Sequence, residues 1–346
     1  MPDLSAAELP AAARGATENC DSIKRDSKFV ERVREACRSG EEQLLDRLIQ
    51  SKVRDHVRAL LDKKDLEHEC VVGGSIRCLE IICKLLCLLP CHINRKNKSG
   101  YSCLHMAVLT GHTDIVDFLL VNEANVNITD NDQHSPLYHA IVLNNEKLVR
   151  RLLNANADVH VADRFQATPL HYAVQMCQDG DAGAINIVKM LLDRVSTVEM
   201  RDSEGRTPLV WASSSGSLSA VQLLIKSKAI RKAADKDGLT ALHCAAGHGY
   251  CQIIQALVCG TQDQFVNVED SFGCPPIFYA ASHEEHQAMS TLLHLGADAD
   301  YQDKKGRTVS HCAAALGKPT LLRELEEKGA NLWIKSHKQD IHCMRP

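Results

Sequence analysis

The stretch Asp235-Lys236-Asp237-Gly238-Leu239-Thr240-Ala241-Leu242-His243-Cys244-Ala245-Ala246 decides the fold, because its pattern returns along the chain about every 33 residues. Asp235 to Gly238 reads as a tight turn, with Gly238 free to take a positive φ. Thr240 stands where a hydroxyl caps a helix start, worth roughly 0.5–2 kcal/mol. Leu242, Ala245 and Ala246 form a narrow apolar face that lets a neighbouring helix approach closely. Gly249 ends this helix, and Ile253, Ile254, Leu257 and Val258 follow at helical spacing on a second one. One turn with one helix pair cannot bury its own apolar face; stacked copies can.

The copies read Ser102-Cys103-Leu104-His105, Ser135-Pro136-Leu137-Tyr138, Thr168-Pro169-Leu170-His171 and Thr207-Pro208-Leu209-Val210, then Thr240-Ala241-Leu242-His243, Pro275-Pro276-Ile277-Phe278 and Thr308-Val309-Ser310-His311. Their fourth positions, 105, 138, 171, 210, 243, 278 and 311, lie 33, 33, 39, 33, 35 and 33 residues apart. Eight places before the fourth position stands Asp130, Asp163, Asp202, Asp235, Asp270 or Asp303. Five places before it stands Gly100, Gly205, Gly238, Gly273 or Gly306. Gln133 and Gln166 replace the glycine in two units, so those two turns are expected to be less relaxed.

Composition agrees with a stack of small helix faces. Only 4% of the 346 residues are Phe, Trp or Tyr. A net charge of −4 predicts no strong attraction to nucleic acid or to an anionic membrane. The longest apolar run, 81–89, is interrupted by Lys84 and stopped by Pro90, too short for a membrane span. No basic segment followed by an apolar stretch opens the chain, so no secretory signal is expected. The 15 cysteines are odd in number and scattered through helical positions, which predicts reduced thiols in the cytosol or nucleus.

Residues 1–26 read as a mobile arm. Residues 27–65 read as a helical N-terminal cap. Within it a helix pair breaks at Ser39-Gly40, with Val30, Val33 and Ala36 on one apolar face and Leu44, Leu45, Leu48 and Ile49 on the other. The array is expected over 66–335, as about eight repeats. The first is degenerate, around His68-Glu69-Cys70 and Gly74. An insertion, Gln178–Gly183, lengthens one helix–helix turn; it is either a second contact edge or a tolerated loop. Residues 336–346 read as an incomplete further repeat or tail, so the chain is either an array with exposed last helices or part of something longer.

These motifs resemble the ankyrin repeat family. The family's D-x-x-G-x-T-P-L-H-x-A-A pattern is closely matched by Asp235–Ala246 and Asp202–Ala212. Its G-H-x-x-[IV]-V-x-x-L-L continuation is matched by Gly111–Leu120, and its G-A-D-V-N start by Gly296–Asp300. Departures are Val210 and Phe278 at the His place, Ser310 at the Leu place and the insertion. Within the family, 204–207 and 302–308 are similar to the arrays of inversin-type ciliary scaffolds. The resemblance implies an all-α ankyrin-repeat solenoid of antiparallel helix pairs linked by β-hairpin-like fingers. It also implies a non-enzymatic scaffold or adaptor that binds a protein partner, as a monomer or within a larger complex. The compartment it implies is cytoplasmic, with nuclear or ciliary and cytoskeletal sites open.

Chemistry is sparse. No phosphate loop, nucleophile elbow, zinc-protease or kinase signature is present, and no cofactor is expected. The row His105, His171, His243 and His311 has one member per unit; the resemblance implies that each bonds nearby backbone and Thr groups. Cys78, Cys83, Cys87 and Cys91 read as small hydrophobes of a second helix, or as a metal or redox cluster. No metal site is assigned. Asn127 resembles the hairpin asparagine that hydroxylases modify in this family; the plain alternative is an Asn bonding its own turn.

The resemblance places the binding groove at the fourth and fifth residues after the His place. The candidate partner-binding residues there are Leu109, Val142, Leu143 and Met176, joined by Tyr101, Phe165 and Phe272 as apolar rings on the fingers. The alternative is that the groove residues pack against neighbouring helices.

Overall fold

A turn of the Asp-x-x-Gly kind holds itself together through its aspartate. In the computed structural model, which describes residues 27–51, 66–86, 93–260 and 263–337, Oδ1 of Asp235 accepts the backbone N–H of Asp237 (3.0 Å) and of Leu239 (2.8 Å). Asp163, Asp202, Asp270 and Asp303 each accept the same two N–H groups, two and four residues on. Asn97 does so in an earlier unit. The turn glycines take φ from +74° to +85°, and Gln133 and Gln166 are held at +66° and +59°.

Each turn delivers the chain to a helix start. Thr240 and His243 form a reciprocal cap in which the Thr240 N–H donates to His243 Nδ1 at 3.1 Å. With Nδ1 accepting, the ring proton lies on Nε2, which donates to the Cys274 carbonyl of the next unit at 3.1 Å. His171 bridges in the same way to the Arg206 carbonyl, and His68 Nε2 reaches that of Tyr101 without a capping bond at its Nδ1. His171 and His243 are therefore each both a cap and a rivet between successive units.

The chain divides into two compact units, Met1–Asn131 and Asp132–Pro346. In the first, a helix over 27–39 is followed by Glu42–Gln50, with Val33, Ala36, Leu45 and Leu48 buried. Leu44 and Ile49 are only half-buried. Leu66–Val72 packs on Cys103–Thr110, and Ile76–Leu86 on both Glu42–Gln50 and Thr113–Val121. Gly73 marks a close approach, since a Cβ there would lie 2.3 Å from the Cys37 carbonyl oxygen. The arm 1–26, residues 52–65 of the cap, Cys87, Cys91 and the tail beyond 337 lie outside the described residues.

In the second unit the first helices of the pairs stack in series: Pro136–Val142, Pro169–Met176, Pro208–Ser215, Ala241–Gly247, Pro276–Ser282 and Val309–Ala315. Their partners, Glu146–Asn154, Ala182–Leu192, Leu218–Lys226, Cys251–Val258 and His286–His294, form a second layer. The core lies between the layers, with Leu152, Val188, Leu224, Ile254 and Leu292 all fully buried. The fingers hold one isolated antiparallel bridge, Ala234 to Thr240, and no strand among the described residues. No described helix is long and apolar enough to cross a membrane.

The insertion has internal work. Asp179 accepts the N–H groups of Leu218 (3.2 Å) and Ser219 (2.9 Å), at the start of a helix in the following unit. Asp181 caps its own helix through Gly183 and Ala184 and receives Asn144 Nδ2 at 2.6 Å.

Where Val210 takes the His place, the cap is incomplete, and the buried Thr207 hydroxyl has no hydrogen-bond partner. Thr207→Val is therefore expected to stay within about 0.5 kcal/mol of the parent protein, whereas Thr240→Val loses about 1–2 kcal/mol. Urea titration of both variants checks this, and equal losses would refute it.

Candidate functional site

Successive fingers of the second unit are tied tip to tip by the backbone. The carbonyls of Phe165, Glu204, Asp237, Phe272 and Lys305 accept the N–H groups of Ser203, Lys236, Ser271, Lys304 and His337 at 2.7–3.2 Å. These five residues occupy one equivalent place, and the link uses only their main chain. Their side chains are left for something else. Phe165 is 67% exposed and Phe272 64% exposed, a costly position for a large ring.

Val142 and Met176 end their helices and Leu143 caps one; all three are exposed in this second unit. In the first unit, Leu109 is half-buried on Cys103–Thr110. Tyr101 is not at a tip. It takes the place of Arg206, Leu239, Cys274 and Arg307, is half-buried, and its carbonyl receives both the Asn97 N–H and His68 Nε2. Its ring lies 5.9 Å from that of His105.

Asn127 is exposed, and its N–H donates to Asn125 Oδ1 at 3.0 Å. Its place is structural in other units, where Asn94, Glu199, Asn267 and Asp300 each accept an N–H from a residue 31 positions on.

Sequence reasoning missed the residue immediately after the His place. In the second unit this row reads His139, Tyr172, Trp211, Cys244, Tyr279 and Cys312. The rings are positioned by the free oxygen of the turn aspartate nine residues earlier. Trp211 Nε1 donates to Asp202 Oδ2 at 2.9 Å, Tyr279 to Asp270 Oδ2 at 2.7 Å, and Tyr172 to Asp163 Oδ2. The signal was present, as a ring nine residues after an Asp-x-x-Gly aspartate. Tyr138, at the His place of its own unit, lies against the row, stacked on His134 at 3.8 Å and edge-on to Tyr172 at 4.6 Å, with Trp211 5.4 Å beyond Tyr172.

Where cysteine replaces a ring, the groove opens. A cavity of about 430 Å³ borders Cys244, with Trp211, Arg206 and Asp235 on its walls. A second, of about 650 Å³, borders Cys312 beneath Lys304, Lys305, Ala315 and Leu316.

Electrostatics tie the charged groups into this frame. Burial works to raise the Asp202 pKa. The bonds from Trp211 and from the Arg206 backbone and guanidinium outweigh it and hold the carboxyl below its usual range. Asp303 is held down in the same way, against burial, by Arg307. Burial pushes the Cys244 and Cys274 thiols up to about 11 and Cys83 to about 12, so none is poised as a thiolate nucleophile. Of the proposed cysteine cluster, Cys78 is buried and Cys83 half-buried.

Comparison with known proteins accords with this geometry. The family model for ankyrin repeats matches in three copies, at residues 33–163, 131–202 and 170–270. Among solved structures, the crystal structure of the human ASB11 ankyrin repeat domain superposes with a TM-score of 0.53 and 23% identity, over 60% of this chain and 89% of that one. No curated protein matches the chain. Nothing in these matches supports the likeness to inversin-type arrays. The riveted turn-and-helix-pair unit and the family matches together show that the chain belongs to the ankyrin-repeat family.

Proposed function

We propose that the chain is a non-enzymatic adaptor that holds a partner protein against the fingers and groove of its second unit. The observation that carries this reading is the pair Phe165 and Phe272. Both stand at the finger-tip place, both are about two-thirds exposed, and in both the main chain alone serves the neighbouring finger. Neither ring is needed to hold its finger, whereas exposed rings on a rigid frame are the usual anchors of a protein interface. Val142, Leu143 and Met176 add exposed apolar surface in the same unit. The repeats over about 66–335 form the binding body in this reading. The abundant free thiols favour a reducing compartment, the cytosol or nucleus.

Affinity capture from cell extract, comparing the parent chain with a Leu143→Asp/Phe165→Ala variant, tests the surface. The variant is expected to lose the captured partner by tenfold or more, since an interface anchor is worth about 2 kcal/mol. Circular dichroism first establishes that it is folded. Equal capture by both proteins refutes the proposed surface.

A further inference from the structure

We propose that the cavity beside Cys312 binds an acidic segment of a partner protein, seating one apolar side chain against Leu316 with its carboxylates on Lys304 and Lys305. This deepens the adaptor reading and rests on it. The cavity exists because the ring row gives way to cysteine at this point, leaving about 650 Å³ open beside Ala315 and Leu316. Leu316 is 44% exposed, so the wall is apolar and unfilled.

The charge has a definite sign. Arg307, which lines the cavity, has its charge taken up by Asp303, 4% exposed, through two contacts at 2.8 and 2.7 Å. Among the described residues no acidic side chain lines the cavity, whereas Lys304 and Lys305 do. Lys304 Nζ is positioned by the Ser271 carbonyl at 2.6 Å, which leaves its charge without a counter-ion among the described residues. Lys305 is exposed and makes no ion pair among the described residues. Its carbonyl is held by the His337 N–H, so it projects from the same anchored tip place as Phe165 and Phe272. The cavity beside Cys244 has no such bias, because Arg206 and Asp235 both line it. An apolar wall beside two lysines fits glutamate or aspartate flanking a leucine-sized side chain. A nucleic acid fits less well, since it would find only two lysines here on a chain of net charge −4.

Fluorescence anisotropy on the full chain tests this with three labelled probes: a short peptide of glutamate and leucine, its lysine-and-leucine counterpart, and a single-stranded DNA oligonucleotide. The acidic peptide is expected to bind and to weaken as salt rises. Its affinity should fall about tenfold in Lys305→Glu and again in Leu316→Asp, with both variants confirmed as folded. No binding of the acidic peptide, equal binding of the basic one, equal binding of the oligonucleotide, or an acidic-peptide affinity unchanged by both substitutions overturns the inference. If it fails while the Leu143→Asp/Phe165→Ala variant still loses its captured partner, this cavity alone is wrong and the adaptor reading stands.

Discussion

His243→Ala is expected to lower the stability of the second unit by about 3 kcal/mol while leaving the protein folded. The substitution removes the acceptor of the Thr240 N–H and the donor to the Cys274 carbonyl, and it empties a buried site. Each stranded polar group costs about 1–3 kcal/mol, and the void adds to this. The fold should survive because the unit with Val210 at the same place still forms its helix, Pro208–Ser215. The loss should show as a lower urea midpoint and as faster amide exchange on both sides of the Ala241–Gly247 and Pro276–Ser282 junction. A variant as stable as the parent would refute the rivet.

The same residue carries a pH dependence. Burial depresses the His243 and His171 pKa values, against the bonds their rings make to the next unit. The unfolded chain then binds more protons than the native one below about pH 6.5, so the stabilisation present above that pH is lost as pH falls. Asp202 and Asp303, also held low, extend the loss through the carboxylate range. In His243→Ala the first part of this acid decline should be shallower.

Gly238→Val should cost at least about 3 kcal/mol. Gly238 sits at φ +80°, a conformation that penalises any side chain and a β-branched one most. Its Cβ would lie 2.6 Å from the Ser271 nitrogen, where it displaces the finger-to-finger bond from Ser271 to the Asp237 carbonyl (3.0 Å). The reverse change works elsewhere. Gln166 holds +59° without being glycine, so Gln166→Gly should gain about 0.5–1 kcal/mol. Thermal or urea unfolding of the two variants reads opposite signs. A neutral Gly238→Val would show that the fingers do not depend on this turn.

The turn and the cap of each repeat were legible because their bonds are local. Asp235 reaches only two and four residues along, and Thr240 and His243 only three apart, so residue type and spacing carry the whole turn and cap. Gln133 and Gln166 could likewise be read as strained turns from the missing glycine. The proposed binding face was legible only in part. Phe165 and Phe272 are exposed as expected, but Tyr101 stands on the inner side of its finger, and Leu109 is half-buried. The tip and the inner side are two residues apart in the same hairpin, and sequence distance alone did not separate them.

By itself the sequence determined the period, the turn, the caps and the helix pair, since short-range hydrogen bonds and apolar spacing specify them. Only the tertiary structure decided which side chains meet. The ring contacts of Tyr172 with Tyr138 and Trp211, and the cavities where Cys244 and Cys312 interrupt the row, are set by neighbours a whole repeat away. So is the charge of Lys304 and Lys305, without a counter-ion among the described residues. Whether a groove position is filled, open or charged depends on the volume and charge of residues roughly one repeat before and after it, which only stacking brings together.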